Sequence, residues 1–246
     1  PQPPMYRIEN GTIQIIKKIQ QHIAKDSIKT RTACHHIKRL QNGAIEISTN
    51  NGVYTSNKVI ITLPPKLLVN TLTFNPPLTD TYTALANETA TWMEYSTKFT
   101  ISFEAPFTKP LPYDLFSQSG IIQEMYDHSS QDEQHFALKG FLHPRCVALS
   151  QAERASLVIN ELKAIYNTQF PTAYKYIDKI WRDDDFVSKR TFNETLPKQN
   201  NGAAHLKQSQ WQNTLFFAGT ETAANHSGYM EGALESAKET LHKLIK

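Results

Sequence analysis

Two stretches of the chain bring together residue types able to do chemistry. One is L-F-F-A-G-T-E-T-A-A-N-H-S-G-Y-M-E-G-A-L over residues 215–234. It opens with an apolar run that stops at Gly219, which reads as a buried strand ending in a turn. Residues 219–228 are small and polar, as in a loop. From Tyr229 the apolar residues Met230, Ala233, Leu234, Ala237, Leu241, Leu244 and Ile245 fall at helical spacing, predicting a helix with that face buried. Ser227 and Gly228 stand where an N-cap belongs, and Glu231 lies in the first turn, where a carboxylate suits the helix dipole. A strand, a glycine-rich loop and a helix start present free N–H groups and partial positive charge to whatever lies above them. The absent side chains at Gly219, Gly228 and Gly232 let a flat ligand or another backbone approach. An ordinary strand-to-helix turn with a tight crossing at Gly232 accounts for the same residues. The other stretch is T-K-F-T-I-S-F over residues 97–103. It sets Lys98 inside a strand that should be half-buried, where a lysine usually needs a partner; a lysine on a solvent-facing strand is the plainer alternative.

Other chemistries find little support. The nine histidines show no HxxxH or HExxH spacing, so no metal site is expected. Ser227 follows His226, but no GxSxG elbow surrounds it. Asp183 to Asp185 read as a solvated turn. A net charge of +3 with scattered lysines and arginines does not suggest nucleic acid. No run of about twenty apolar residues occurs, so no membrane span is expected. Cys34 and Cys146 lie far apart and read as reduced and buried, which favours an intracellular, cytoplasmic setting.

The elements that must position these residues follow from periodicity. A helix is expected over 12–24, strands over 28–36, 44–49 and 52–56 with Asn-Gly turns at 42–43 and 51–52, and a buried strand over 59–63 broken by Pro64 and Pro65. Further on come a helix over 79–90, strands over 94–103 and 136–142, an amphipathic helix over 151–166 and a strand over 176–181. Residues 110–134 are polar and proline-broken, without an assignable element.

The string F-A-G-T-E-T-A followed by S-G-Y-M-E-G-A-L-E-S-A resembles the C-terminal flavin-binding segment of the FAD-dependent amine oxidases, the monoamine and polyamine oxidase family. Y-R-I-E-N-G over 6–11, the strand of 59–63 with its proline pair, and F-N-P-P-L over 74–78 are similar to the same family. The resemblance implies an α/β fold, part of a two-domain FAD-binding architecture with a mixed-sheet substrate domain. It divides the chain into part of an FAD-binding domain (1–65), a substrate-binding domain (66–195), and a C-terminal FAD-binding segment and helix (196–246). It implies that the helix start faces the pyrimidine end of the flavin, with Gly219, Thr220, Glu221, Gly228, Tyr229 and Met230 against the cofactor. Cys34 then falls near the adenine, although core packing is the default for a free cysteine. Glu221 falls near the ribityl and phosphates, or else caps loop N–H groups. Lys98 matches the lysine that binds a water at flavin N5. Tyr229 matches one wall of an aromatic cage in front of the flavin. The other wall is expected after Trp181, where Phe192 fits with a one-residue shift. No cysteine stands in that stretch, so the FAD is expected to be non-covalent.

The family also needs a GxGxxG turn to hold the FAD pyrophosphate, and none occurs among the nine glycines. The chain is therefore expected to be the C-terminal part of an enzyme, completed by an N-terminal half or a second chain; association of copies with one another stays open. The implied reaction is hydride transfer from the carbon of a small neutral amine to flavin N5, with an imine product and dioxygen reduced to hydrogen peroxide. Another flavin oxidoreductase on the same scaffold, such as an amino-acid oxidase or desaturase, or a non-catalytic FAD-fold subunit, remains as an alternative.

Overall fold

The computed structural model describes residues 6–91, 93–104, 114–117, 120–130, 132, 134–167, 170–188 and 200–245. Helix α1 (Ile13–Gln20) carries the predicted isoleucine stripe, but buries none of its residues; Ile13 and Ile16 are both more than half exposed. The next predicted strand starts later than expected, as β1 (Cys34–Arg39), after a short 3-10 turn. It pairs antiparallel with β2 (Ile45–Thr49), which pairs antiparallel with β3 (Gly52–Ser56). The Asn42-Gly43 turn closes the first hairpin, with Gly43 at a φ of 86°, a left-handed conformation glycine adopts freely.

Strand β4 (Val59–Ile61) is shorter and less buried than expected. The proline pair that ends it also starts helix α2 (Pro65–Thr71), an element the sequence reading lacked. Proline at the first helical position gives up an N–H that would have no partner there. Strand β5 (Thr73–Asn75) then lies parallel to β1, giving a four-stranded mixed sheet in the order β3-β2-β1-β5. Helix α3 (Asp80–Glu88) follows.

Strand β6 (Thr97–Phe103), β7 (Asp114–Phe116), β8 (Ile122–Asp127) and β9 (Phe136–Leu142) come next. Helix α4 (Gln151–Tyr166) starts with a capping box, in which Ser150 and Glu153 satisfy each other's backbone N–H groups. Strand β10 (Tyr174–Ile180) completes a five-stranded sheet, β10-β6-β9-β8-β7. Every pairing in it is antiparallel, which corrects the expected mixed sheet. Helix α4 carries the chain back across the sheet to its far edge, so β10 enters antiparallel to β6. Phe99, Ile101 and Phe103 alternate inward along β6 and meet Val158, Ile159 and Leu162 of α4 in one core.

Strand β11 (Leu215–Phe217) is fully buried and lies parallel to β4, in a sheet of two strands. Its Leu215 and Phe217 share a second core with Ile37 of β1, Leu68 of α2 and Tyr82 of α3. Tyr82 stacks on Phe217 with ring centroids 4.4 Å apart. Helix α5 (Met230–Ile245) ends the described chain. Its buried residues are Gly232, Ser236 and Thr240, while Met230, Leu234, Leu241 and Ile245 are exposed. The helix therefore forms where periodicity placed it, but packs through its small residues and leaves its apolar stripe outward.

Candidate functional site

The unit from β11 to α5 is held by a closed ring of hydrogen bonds. Gly219 N–H donates to Ser236 Oγ at 3.1 Å, and Thr222 Oγ1 donates to Gly219 C=O at 2.9 Å. Thr222 and Ser236 hydroxyl oxygens are 2.6 Å apart. Since the Thr222 proton goes to Gly219, Ser236 is the donor between them. A further bond from Thr220 Oγ1 to Tyr229 C=O, 2.9 Å long, ties the loop to the start of the helix. Glu221 is buried, and its carbonyl accepts from Gly202 N–H at 2.8 Å.

The helix begins one to two residues later than Ser227 and Gly228 suggested, a shift within ordinary boundary variation. Gly228 takes a left-handed φ of 84° and turns the chain into the helix. At Gly232 a Cβ would stand 2.3 Å from the carbonyl oxygen of His226, so only glycine lets the loop cross the helix there. Tyr229 and Met230 are 64% and 53% exposed. The N–H groups of Met230 and Glu231 have no acceptor among the described residues. A flat anionic group at this helix end would find donors and partial positive charge.

The other candidates stand elsewhere. Lys98 is half-buried on β6, on the face away from α4, with Nζ 5.7 Å from the ring centre of Phe141. Cys34 opens β1 and is half-buried rather than buried; it packs against the second core, its Sγ 3.8 Å from the His36 carbonyl. Burial pushes its thiol up, so it stays protonated at neutral pH. No hydrogen bond or ion pair among the described residues links Lys98 or Cys34 to the β11–α5 unit. Phe192 lies outside the described residues. Cys146 is buried and both cysteines are free. Among the described residues no group of histidine, cysteine and carboxylate side chains could hold a metal.

Two features were missed in the sequence. Ser236 and Thr222 hold the loop, and the signal was the spacing of Gly232, Ser236 and Thr240, four residues apart on one helix face. The second is a buried cluster under the five-stranded sheet. Arg154 Nε and a second guanidinium nitrogen donate to both oxygens of Asp178, at 2.7 and 2.9 Å, and Tyr176 Oη donates to the same carboxylate at 2.8 Å.

A family profile, "Flavin containing amine oxidoreductase", matches residues 2–240. The chain belongs to that family. Amine oxidase [flavin-containing] B of Canis lupus familiaris is 25% identical over 251 residues, covering 96% of this chain and 47% of its own. A probable flavin-containing monoamine oxidase A of Dictyostelium discoideum is 24% identical, covering 97% of this chain and 54% of its own. The chain thus spans about half the length of the curated relatives it matches. Among solved structures, wild-type putrescine oxidase bound to putrescine superposes with a TM-score of 0.79 at 17% identity, over 96% of this chain and 53% of that one. Cyclohexylamine oxidase from Brevibacterium oxydans IH-35A gives 0.76 at 18% identity, over 96% and 53%. These likenesses establish a flavin amine oxidase fold: α/β, with several sheets. Among the described residues no helix is long and apolar enough to cross a membrane.

Proposed function

We propose that the chain is the C-terminal part of a non-covalent FAD-dependent amine oxidase, and that the β11–α5 unit is its flavin site. The observation that carries this is the unpartnered helix start at Met230 and Glu231, braced by the Gly219–Ser236–Thr222 ring and fronted by exposed Tyr229. The fit to a flat cofactor is good: a Cβ built at Gly219 would meet only Glu221 Oε2, at 3.5 Å, so the loop leaves open space. When bound, FAD supplies the hydride acceptor for oxidation of an amine to an imine, and returns its electrons to dioxygen as hydrogen peroxide.

Each residue then has a definite task. The N–H groups of Met230 and Glu231 stabilise negative charge at the helix start. Gly219, Thr220 and Gly228 shape the loop through their backbones, and Glu221 faces the ribityl side. Tyr229 orients the neutral amine as one wall of a narrow apolar slot, with Phe192 as the other. Lys98 holds a water at the reacting centre. Cys34 lies near the adenine. The division into 1–65, 66–195 and 196–246 belongs to this reading, with α2 and α3 of the middle part sharing the core of the outer two.

The reading also requires a segment carrying GxGxxG, from the same polypeptide or a second chain. Two observations support it. A parallel sheet of two strands is normally part of a larger, covered sheet. The isoleucine stripe of α1 and the apolar stripe of α5 are exposed. Cytoplasmic location is part of the same proposal.

The test is an absorbance spectrum of the natural protein after acid release of its chromophore, beside the intact mass of every chain present. Releasable FAD with an additional N-terminal segment, and peroxide formed from an amine, is the expected result. A protein with its N-terminal half present, and no flavin even after added FAD, would sink the proposal.

A further inference from the structure

The five-stranded sheet has one face covered by α4 and one turned away from it. Residues directly opposite in antiparallel strands share a face. The register sets Lys98 level with Phe141 on one side and Lys179 on the other. The next row holds Thr100, Lys139 and Ile177, and the one beyond it Ser102, Ala137 and Lys175. All of these lie on the face away from α4. Strand β8 extends the rows with Glu124 beside Phe141 and Tyr126 beside Lys139. Arg7 lies against the same strand, donating to the carbonyls of Asp127 and Ser129.

Positive charge on this face is only partly answered. Lys179 pairs with Asp184 at 2.7 Å. Among the described side chains of these rows Glu124 is the one carboxylate, and Asp114 of β7 stands in register with Tyr126 at the sheet edge. Lys98 and Lys139, both half-buried, form no ion pair among the described residues. Burial first, then the charges of Lys98 and Arg7, hold the Lys139 ammonium below its ordinary value. His128, beside Ala137, is lowered by burial and then by Lys139, Arg7 and Lys98, against the opposing charge of Asp127. Like charges gathered on a half-buried sheet face destabilise it unless an anion sits among them.

We propose that this face is an anion-binding wall of the substrate site, and that the natural substrate is an amine carrying a carboxylate several bonds from the oxidised carbon. The inference rests on the reading above, in which Lys98 stands at the reacting centre. Lys139 is the diagonal neighbour of Lys98, and such neighbours have Cα atoms about 7–8 Å apart. A carboxylate held by Lys139 is thus displaced from the reacting carbon along the substrate, as in an ω-amino acid. A diamine such as putrescine would bring a second positive charge to the same wall.

The test uses the natural holoprotein and a series of four-carbon amines: butylamine, γ-aminobutyrate and putrescine. The expected order of kcat/KM is γ-aminobutyrate, butylamine, putrescine. Lys139→Met should raise the KM of γ-aminobutyrate about tenfold more than that of butylamine. In the unaltered protein, added salt should raise the KM of the carboxylate and leave butylamine nearly constant. Calorimetric binding of butyrate, weakened about tenfold by Lys139→Met, provides a readout that needs no turnover. Peroxide release with putrescine preferred, or with no carboxylate preference, overturns the inference and leaves the oxidase. Absence of butyrate binding also overturns it. If butyrate binds through Lys139 but no amine is oxidised, the anion wall stands and the oxidase reading falls.

Discussion

The hydroxyl of Ser236, in the second turn of α5, lies 2.6 Å from that of Thr222 in the loop after β11, and the two close a ring through Gly219. Both side chains are buried. Removing one hydroxyl breaks two hydrogen bonds and orphans a buried partner, at a cost of about 1–3 kcal/mol. Ser236→Ala in the natural protein should lower the midpoint of urea unfolding without changing its slope, and reduce the FAD retained on gel filtration. Unchanged stability would mean that the ring does not brace the loop.

Gly232 is where the loop and helix touch. An alanine methyl 2.3 Å from the His226 carbonyl oxygen must push backbone, which cannot yield as a flexible side-chain tip would. Gly232→Ala should cost about 1–3 kcal/mol in thermal or urea unfolding, against the usual gain from putting alanine in a helix. A neutral or stabilising result would contradict the close crossing.

Acid sensitivity should trace to Asp178. Burial pushes its carboxyl up, but the hydrogen bonds from Arg154 and Tyr176 together outweigh that and hold it below the usual range. A carboxylate depressed in the folded state stabilises fully above its unfolded value, about 3.9, and loses that contribution as pH falls through the folded value. Asp178→Asn should therefore be less stable than the unaltered protein by about 3–5 kcal/mol at neutral pH, since it leaves Arg154 buried without its charge. The gap should narrow below about pH 4. Parallel urea curves at neutral and acid pH check this; a gap that stays constant would count against it.

Lys98→Met tests a chemical role against a structural one. The lysine is half-buried and among the described residues its one ring contact is with Phe141, so the folding cost should stay below about 1 kcal/mol. Peroxide formation should fall roughly ten- to hundredfold if Lys98 holds a reacting water. Full activity with unchanged stability would return Lys98 to the role of a plain strand lysine.

Much of the architecture was legible before any coordinates. Strand β9 and helix α4 begin and end where alternation and helical spacing placed them, because each buries one regular face. The loop after Gly219 and the helix start that follows it were legible too, since glycines and a helix start are local signals. Strand β8 was not legible: its Glu124 and Tyr126 face the lysine-bearing side, and only Ile122 and Met125 are buried, too short a pattern to stand out. The sheet's antiparallel order depends on where α4 returns the chain, which no local pattern records.

By itself the sequence determined where α5 forms, because 3.6-residue periodicity is a property of neighbouring residues. Only tertiary structure decided which side of that helix packs. Gly232, Ser236 and Thr240 are small enough to let its backbone approach the loop after β11 and bond to it, a closeness that Leu234 and Leu241 would prevent. It likewise took the register of β6 against β9 to set Lys139 beside Lys98, because residues forty-one positions apart share a face only once their strands are paired.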